Sequence, residues 1–375
     1  MEASQALPPE GLRATDLEKI WQAEGPFLSV YLTTEGEIEN AAHRSEQRWR
    51  TLRATLEERN VSAAILDAVD LLVSTAHQRG GSLAVVAAED GGILHVEHGP
   101  TPPIRDVGVW DALPRLGPVV EWRQSIVPYV VVLADRRGAD LSAFSPSMPD
   151  LHMETEPGPG PDRKVGPGGW SQRRYQQRVE NSWEENAAEI AVQVTRLVEA
   201  TEARLVVVAG DVRTVALLRG ELPERVAALV EEVAGGRTLD GSRDAIAEDV
   251  ARLVDVTAAR RTGEVLTRFS EERGQGDAAA DGVAAVFAAL SRGQVEQLLV
   301  HDDLDDDRRA WFGPEPPHIA TSREDLERFG VERPREGRLV DVAIRAGLGT
   351  GAGIRIIPPE VGVRDGLGAL LRFAP

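Results

Sequence analysis

Residues 163–186 read RKVGPGGWSQRRYQQRVENSWEEN. The stretch closes a Pro/Gly-rich run that begins at Pro157, and beyond Gly168-Gly169 it holds no helix breaker. The two glycines allow positive φ and let the backbone approach a ligand closely. The spacing predicts a helix from Ser171 to about Ala200, with Ser171 as its N-cap and Ile190, Val194 and Leu197 as a buried stripe. Arg163, Lys164, Arg173, Arg174 and Arg178 have only Asp162 beside them as counter-charge. Arg174 and Arg178 are four apart and so share a helix face. Guanidinium forks suit phosphate oxygens. Trp170 offers one N–H donor and no acceptor, but it can stack on a base. A solvated loop, with its arginines paired to Glu180, Glu184 and Glu185, fits the same composition.

The charge balance of the whole chain makes this stretch unusual. The formal net charge of the 375 residues is −19. An acidic surface repels nucleic acid, so any such contact must come from a local basic patch. There are no cysteines, which excludes disulfides, thiolate metal sites and a cysteine nucleophile. The first residues lack a basic and apolar leader, and no run of about 18 apolar residues occurs. The expected location is cytoplasmic, with no membrane contact.

Around the stretch the periodicities predict an α/β chain in three parts, 1–125, 126–273 and 274–375. The first has a short helix over 9–24, a strand at Phe27–Thr33, helices over 42–59 and 61–78, strands at Ser82–Ala88 and Ile93–Glu97, and ends in a proline-containing stretch from Thr101 to Pro118. The second has a hairpin of Tyr129–Ala134 and Ala139–Ser145 about an Arg136-Arg137-Gly138 turn, then a long loop over 146–169. The helix from Ser171 follows, then a strand at Ala203–Ala209, helices at 212–219 and 226–233, and a charged helical connector over 240–273. The third has a helix from Asp281 stopped at Gly293, a strand at Val295–His301, a helix over 322–329, and Val340–Arg345 as helix or strand. A glycine-rich turn at 347–353 and strands at Gly353–Ile357 and Leu367–Phe373 complete it.

Other motifs point to less. The alternating glycines of 347–353 lack the Lys-Ser/Thr of a phosphate loop and lead into a strand, so they read as a surface turn. His95 and His98 fall on opposite faces of a strand and have no acidic third ligand. His301 with Asp302, Asp303, Asp305, Asp306 and Asp307 lacks the spacing and glycine of a calcium loop, so it reads as a solvated acidic loop. No Gly-x-Ser-x-Gly elbow is present. No metal and no cofactor is expected.

GGWSQRRYQQR resembles the Gly-Gly-Gln loop of the archaeal and eukaryotic class-1 peptide-release factors, with Gly168, Gly169, Ser171, Arg174, Tyr175 and Arg178 in register. GVAAVFAALSRGQVEQLLVHDDL, from Gly282, resembles the opening of the C-terminal domain of release factors and Pelota. Gly366, Gly368, Leu371, Arg372 and Phe373 fit its closing strand. The chain as a whole, GPFLSVYL included, looks like the bacterial branch of that superfamily, which holds mycobacterial dormancy-associated and Balon-like ribosome-hibernation factors. The resemblance implies an RNase-H-like middle domain and a C-terminal α/β sandwich like kink-turn-binding ribosomal proteins. It implies the ribosome as partner, through ribosomal RNA at the A site and peptidyl-transferase centre, with tRNA and elongation factor Tu as further partners in that branch.

The family's catalytic Gln falls on Trp170, whose indole cannot reproduce an amide. The expectation is therefore a non-catalytic factor for hibernation, protection or rescue of idle ribosomes. Its RNA contacts would be Gly168, Gly169, Trp170, Arg163, Lys164, Arg173, Arg174 and Arg178. The alternative is a peptidyl-tRNA ester hydrolase, with Gln172 in the catalytic role and Ser171 assisting.

Overall fold

The structure, a computed structural model, describes residues 17–34, 40–76, 81–99, 105–135, 138–145, 148–154, 169–236, 242–276 and 278–373, with the backbone alone at 18, 21, 148–150, 154, 169–183 and 242–243. In chain order the elements are α1 (Glu18–Gln22), β1 (Phe27–Thr33), α2 (Ala41–Glu58), α3 (Ala63–Ala76), β2 (Ser82–Ala88), β3 (Gly92–Gly99), β4 (Val107–Asp111) and α4 (Gly117–Ser125). Next come β5 (Tyr129–Ala134), β6 (Ala139–Ser145), β7 (Met148–Glu154), α5 (Gly169–Thr201), β8 (Leu205–Ala209), α6 (Val212–Glu221), α7 (Glu224–Ala227) and β9 (Val230–Val233). The last are α8 (Ser242–Gln275), β10 (Ala279–Asp281), α9 (Val283–Ser291), β11 (Val295–Val300), β12 (Arg309–Phe312), β13 (Ile319–Ala320), α10 (Arg323–Arg328), β14 (Arg335–Arg338), α11 (Leu339–Gly349), β15 (Gly353–Ile356) and β16 (Leu367–Leu371). The chain divides into two compact units, one of residues 1–124 with 262–375, the other of residues 125–261.

In the first unit, β3-β2-β1-β4 form an antiparallel sheet. Alternation along β1 sends Leu28, Val30 and Leu32 to one face, where Trp49, Leu56, Ile65, Leu66 and Val69 of α2 and α3 cover them;. Phe27 and Tyr31 turn the other way, into a core shared with the C-terminal segment through Phe287, Leu298, Phe312 and Ile344. That segment builds a second sheet, β10-β16-β11-β15, and a small one, β13-β12-β14. Phe269 of α8 closes the opposite face of the second sheet with Leu299, Ile357 and Leu370, completing an α/β sandwich.

The two segments of this unit meet over buried charge. Arg338 is 2% exposed. Its Nη2 donates to Asp302 Oδ1 (2.5 Å) and the Asp303 carbonyl (2.6 Å), and its Nε donates to the Asp306 carbonyl (2.9 Å). Its Nη1 reaches Asp341 Oδ1 at 3.3 Å. A Cβ on Gly117 would lie 1.7 Å from Asp302 Oδ2, so only glycine lets α4 come this close. The Tyr31 hydroxyl donates to the Arg115 carbonyl. Burial, then the charges of Asp302 and Asp341, hold that hydroxyl well above the usual phenol range. Asp341 is pushed up to about 7, first by burial, against the pull of Arg338;. The acidic run after His301 is therefore only in part the solvated loop expected: Asp303, Asp305 and Asp307 are exposed. Asp302 is buried at a junction, and Asp306 pairs with Arg308.

The second unit carries the five-stranded sheet β7-β6-β5-β8-β9. Counted from β5, the order is 3-2-1-4-5. The second strand is antiparallel to its neighbours, and β8 and β9 run parallel to β5. This is the mixed sheet expected of an RNase-H-like domain. Both faces are covered. Val130, Val132, Leu141, Val206 and Val208 pack under α5 and α6, while Val131, Leu133 and Val207 meet Ile246, Val250 and Leu253 of α8.

Several elements differ from expectation. Residues 101–118, to which the sequence assigned no element, contain β4 and the start of α4, and β7 occupies part of the expected 146–169 loop. Residues 226–233, read as one helix, divide into the end of α7 and β9. Within the expected glycine-rich turn, Gly347 and Gly349 belong to α11. A Cβ on Gly347 would stand 2.7 Å from Ile354 Cδ1, and one on Gly349 would stand 2.4 Å from Pro316. These glycines serve close packing rather than a surface turn.

Candidate functional site

The site singled out by sequence lies at the N-terminal end of α5. Gly169, Trp170, Ser171, Gln172, Arg173, Arg174, Tyr175 and Arg178 are all in this helix. Arg163, Lys164 and Gly168 lie outside the described residues. Ser171 is not the N-cap: the helix begins two residues earlier, at Gly169, and Ser171 falls in its first turn. The two-glycine junction therefore leads straight into helix. Gln172 follows within the first four residues, whose backbone N–H groups have no partner inside the helix.

The other end of α5 anchors it. Ala187, Ile190, Ala191, Val194, Leu197 and Val198 are buried, three or four apart, against the sheet and α6;. Thr195 and Thr201 fold their hydroxyls back onto the carbonyls of Ala191 and Leu197, which satisfies these polar groups within the helix. With 33 residues the helix is about 50 Å long;. A strand of five to seven residues covers about 17–23 Å, roughly the length of the stretch from Ala187 to Val198. The helix thus has length to spare at the end that carries the arginines.

On that helix, positions 170, 173 and 174 are neighbours by the three-and-four rule, as are 171, 174, 175 and 178. The helix start also carries a partial positive charge from aligned peptide dipoles. Cationic residues in the first turns oppose that dipole, so they cost stability unless an anion joins them. The combination of N–H groups left unpaired within the helix, a positive helix end and three arginines suits phosphate oxygens.

Two carboxylates of this unit have structural work. Asp135 Oδ1 accepts from Gly138 N at 3.0 Å, closing the β5–β6 turn. Asp211 caps α6 by accepting from Arg213 N and Thr214 N. A shallow groove beside them is lined by Ala134, Asp135, Asn186, Ile190, Thr214 and Leu218. Among the described residues, no three His, Asp or Glu side chains gather as a metal site would require. His95 does not face a ligand partner either. Its Nε2 lies 3.0 Å from Glu97 Oε2, and Arg123 binds the same carboxylate. Burial raises the Glu97 pKa and the bonds from His95 and Arg123 lower it, leaving it below the usual range.

The C-terminal residues singled out by resemblance are structural. Arg372 donates to the carbonyls of Gly293, Thr350 and Gly351, gathering the C-terminal ends of α9 and α11;. A Cβ on Gly368 would meet Phe269 at 2.9 Å. Sequence reasoning missed Arg338, whose only signal is an arginine just before an apolar helix. No described helix is long and apolar enough to cross a membrane.

Comparison with known proteins bears on the same segment. Residues 128–275 match the model for bacterial archaeo-eukaryotic release factor family 2. Two Mycobacterium tuberculosis proteins, each described only as uncharacterized, are 29% identical over 377 residues, covering 97% of this chain and 97% of theirs. Among solved structures, Pelota from Archaeoglobus fulgidus is 16% identical, with 99% of this chain and 97% of that one covered and a TM-score of 0.37. The archaeal translation termination factor aRF1 is 18% identical, with 96% and 97% covered and a TM-score of 0.25. Over residues 128–275, the central segment that holds both the mixed sheet and the glycine-led helix, the chain is similar to the bacterial archaeo-eukaryotic release factors of family 2.

Proposed function

We propose that this protein is a ribosome A-site-binding factor that acts in hibernation, protection or rescue of idle ribosomes, without releasing peptide. The observation that carries the reading is the start of α5. Gly169 opens a helix of 33 residues that brings Trp170, Arg173, Arg174 and Arg178 into its first three turns, inside the segment that matches the release-factor family. The helix is anchored through its other half. In a chain of net charge −19, such a basic end is where ribosomal RNA phosphates can be met;. Arg173, Arg174 and Arg178 bind phosphates and Trp170 stacks on a base. Gly168 and Gly169 let the backbone come close, and Arg163 and Lys164 extend the contact. The tip is directed at the peptidyl-transferase centre. Trp170 holds the place of the family's catalytic amide and supplies no acceptor to position a water. tRNA and a translational GTPase such as elongation factor Tu are the companions this reading admits.

Co-sedimentation with 70S ribosomes over a range of salt tests it. The wild type pellets with ribosomes and the Arg173→Ala/Arg174→Ala/Arg178→Ala variant stays in the supernatant. Equal pelleting of the two would remove the proposed contact.

A further inference from the structure

Four arginines lie over aromatic rings among the described residues, and they fall into two pairs. Arg273 over Phe269 also bonds Asp281, and Arg323 over Trp311 also bonds Glu327. Arg335 and Arg345 instead share one ring, that of Phe312, with guanidinium carbons 5.3 and 5.2 Å from its centroid. Neither has a carboxylate ion-pair partner among the described residues. Arg335 Nη2 donates to the Ala112 carbonyl at 3.2 Å. Arg345 Nη2 donates to the Pro314 carbonyl at 2.6 Å, and its Nη1 to the Glu315 carbonyl at 3.4 Å.

The fold forces this pairing. Arg335 stands opposite Phe312 in the β12–β14 register. Arg345 comes from α11, which packs its buried face on the same core. Each guanidinium carries five N–H donors, and the carbonyls use only a few of them. The two like charges repel. Burial, then the charge of Arg335, lowers the Arg345 pKa, and Glu315 gives only a partial counterweight. Stacking on one ring holds both forks in place despite the repulsion. This is an arrangement with unspent donors, only partly compensated positive charge and pre-set geometry.

We propose that Arg335 and Arg345, held on Phe312, form a binding site for phosphate oxygens, separate from the α5 tip. The ligand class is a phosphate ester, either a free polyphosphate or the backbone of an RNA strand. The site does not depend on the ribosome reading. If an RNA strand is the source, it is a second anchoring point for the same molecule.

The test uses the full-length protein with inorganic pyrophosphate and, separately, a short single-stranded RNA, at constant ionic strength. Pyrophosphate should raise the melting temperature of the wild type, and Arg335→Gln should weaken its binding by about tenfold. Arg335 is exposed, so this variant keeps the fold even if Arg345→Gln does not. The Arg173→Ala/Arg174→Ala/Arg178→Ala variant should retain the pyrophosphate response in full, which separates this site from the tip. Loss of RNA binding in Arg335→Gln, tested in that triple background, would identify RNA as the source. Retained RNA binding there, with pyrophosphate binding lost, would identify a free polyphosphate. A pyrophosphate affinity unchanged by Arg335→Gln, or no effect of pyrophosphate on the wild type, overturns the proposal.

Discussion

The junction around Arg338 and the start of α5 are both built from arginines, and they use them in opposite ways. Arg338 is 2% exposed, and its donors are taken up by Asp302, Asp341 and two backbone carbonyls. The arginines of α5 sit at the start of a helix whose anchoring residues begin some fifteen positions later. A buried, fully bonded guanidinium fixes a fold, because removing it strands its partners. Guanidiniums beside a positive helix end gain little until an anion arrives. The contrast says that changes at the junction should alter stability, while changes at the tip should alter binding.

Breaking the junction should have the largest effect. Arg338→Ala leaves Asp302 and Asp341 buried without their cation and should cost about 3–5 kcal/mol in urea denaturation. A loss below about 1 kcal/mol would equate the junction with an ordinary surface pair.

Sharpening it should come next, through pH. Asp341 titrates at about 7 in the folded chain, against about 3.9 when unfolded. Between those values the folded state binds more protons than the unfolded one, so this group makes stability fall as pH rises from about 4 to 7. Glu121, raised first by burial and then by the charge of Asp302, adds in the same sense. Asp341→Asn should flatten that slope;. Glu97, Asp111 and Asp306 work oppositely. Their lowered values support the fold above the ordinary carboxylate range, and this support is lost as pH falls through their folded values. Thermal melts of wild type and variant from pH 4 to 8 read both effects.

Smaller changes in stability belong to the helix ends. Ser322 caps α10 by accepting from Asp325 N, so Ser322→Ala should cost about 1 kcal/mol. At the tip, Arg173→Ala/Arg174→Ala/Arg178→Ala should leave stability within about 0.5 kcal/mol of wild type. The same variant should flatten the slope of log binding constant against log salt by about 2 units for ribosomes. Gln172→Ala should leave peptidyl-tRNA on those ribosomes as stable as the wild type does. Faster cleavage by the wild type would favour the hydrolase reading instead.

Much of this contrast was legible in the sequence, and unevenly so. The apolar runs of β1, β2, β5 and β6 announce themselves, because a strand buried on one or both faces must be apolar. The long helix after Gly168-Gly169 is equally plain. The elements missed are those where proline or charge hides the pattern. β7 carries Pro149 and lies at a sheet edge, where a missing N–H costs little;. Pro118 sits in the first turn of α4, the one place a helix accepts it;. β9 reads VEEV and is also an edge strand, half exposed. Asp302 looked like one member of a solvated run, since nothing in DDLDDD says which carboxylate will be buried. Its partner, Arg338, is 36 residues away and is brought near only by tertiary packing. The tip was readable because its register is local; the junction was not, because its chemistry is long-range.

The most direct test of the account is a photo-cross-link from position 170. A photoreactive residue replacing Trp170, irradiated in the presence of 70S ribosomes, should attach to large-subunit ribosomal RNA at the peptidyl-transferase centre. The yield should collapse when Arg173, Arg174 and Arg178 are changed to Ala. A cross-link confined to protein, or one to RNA that is indifferent to those arginines, would contradict it.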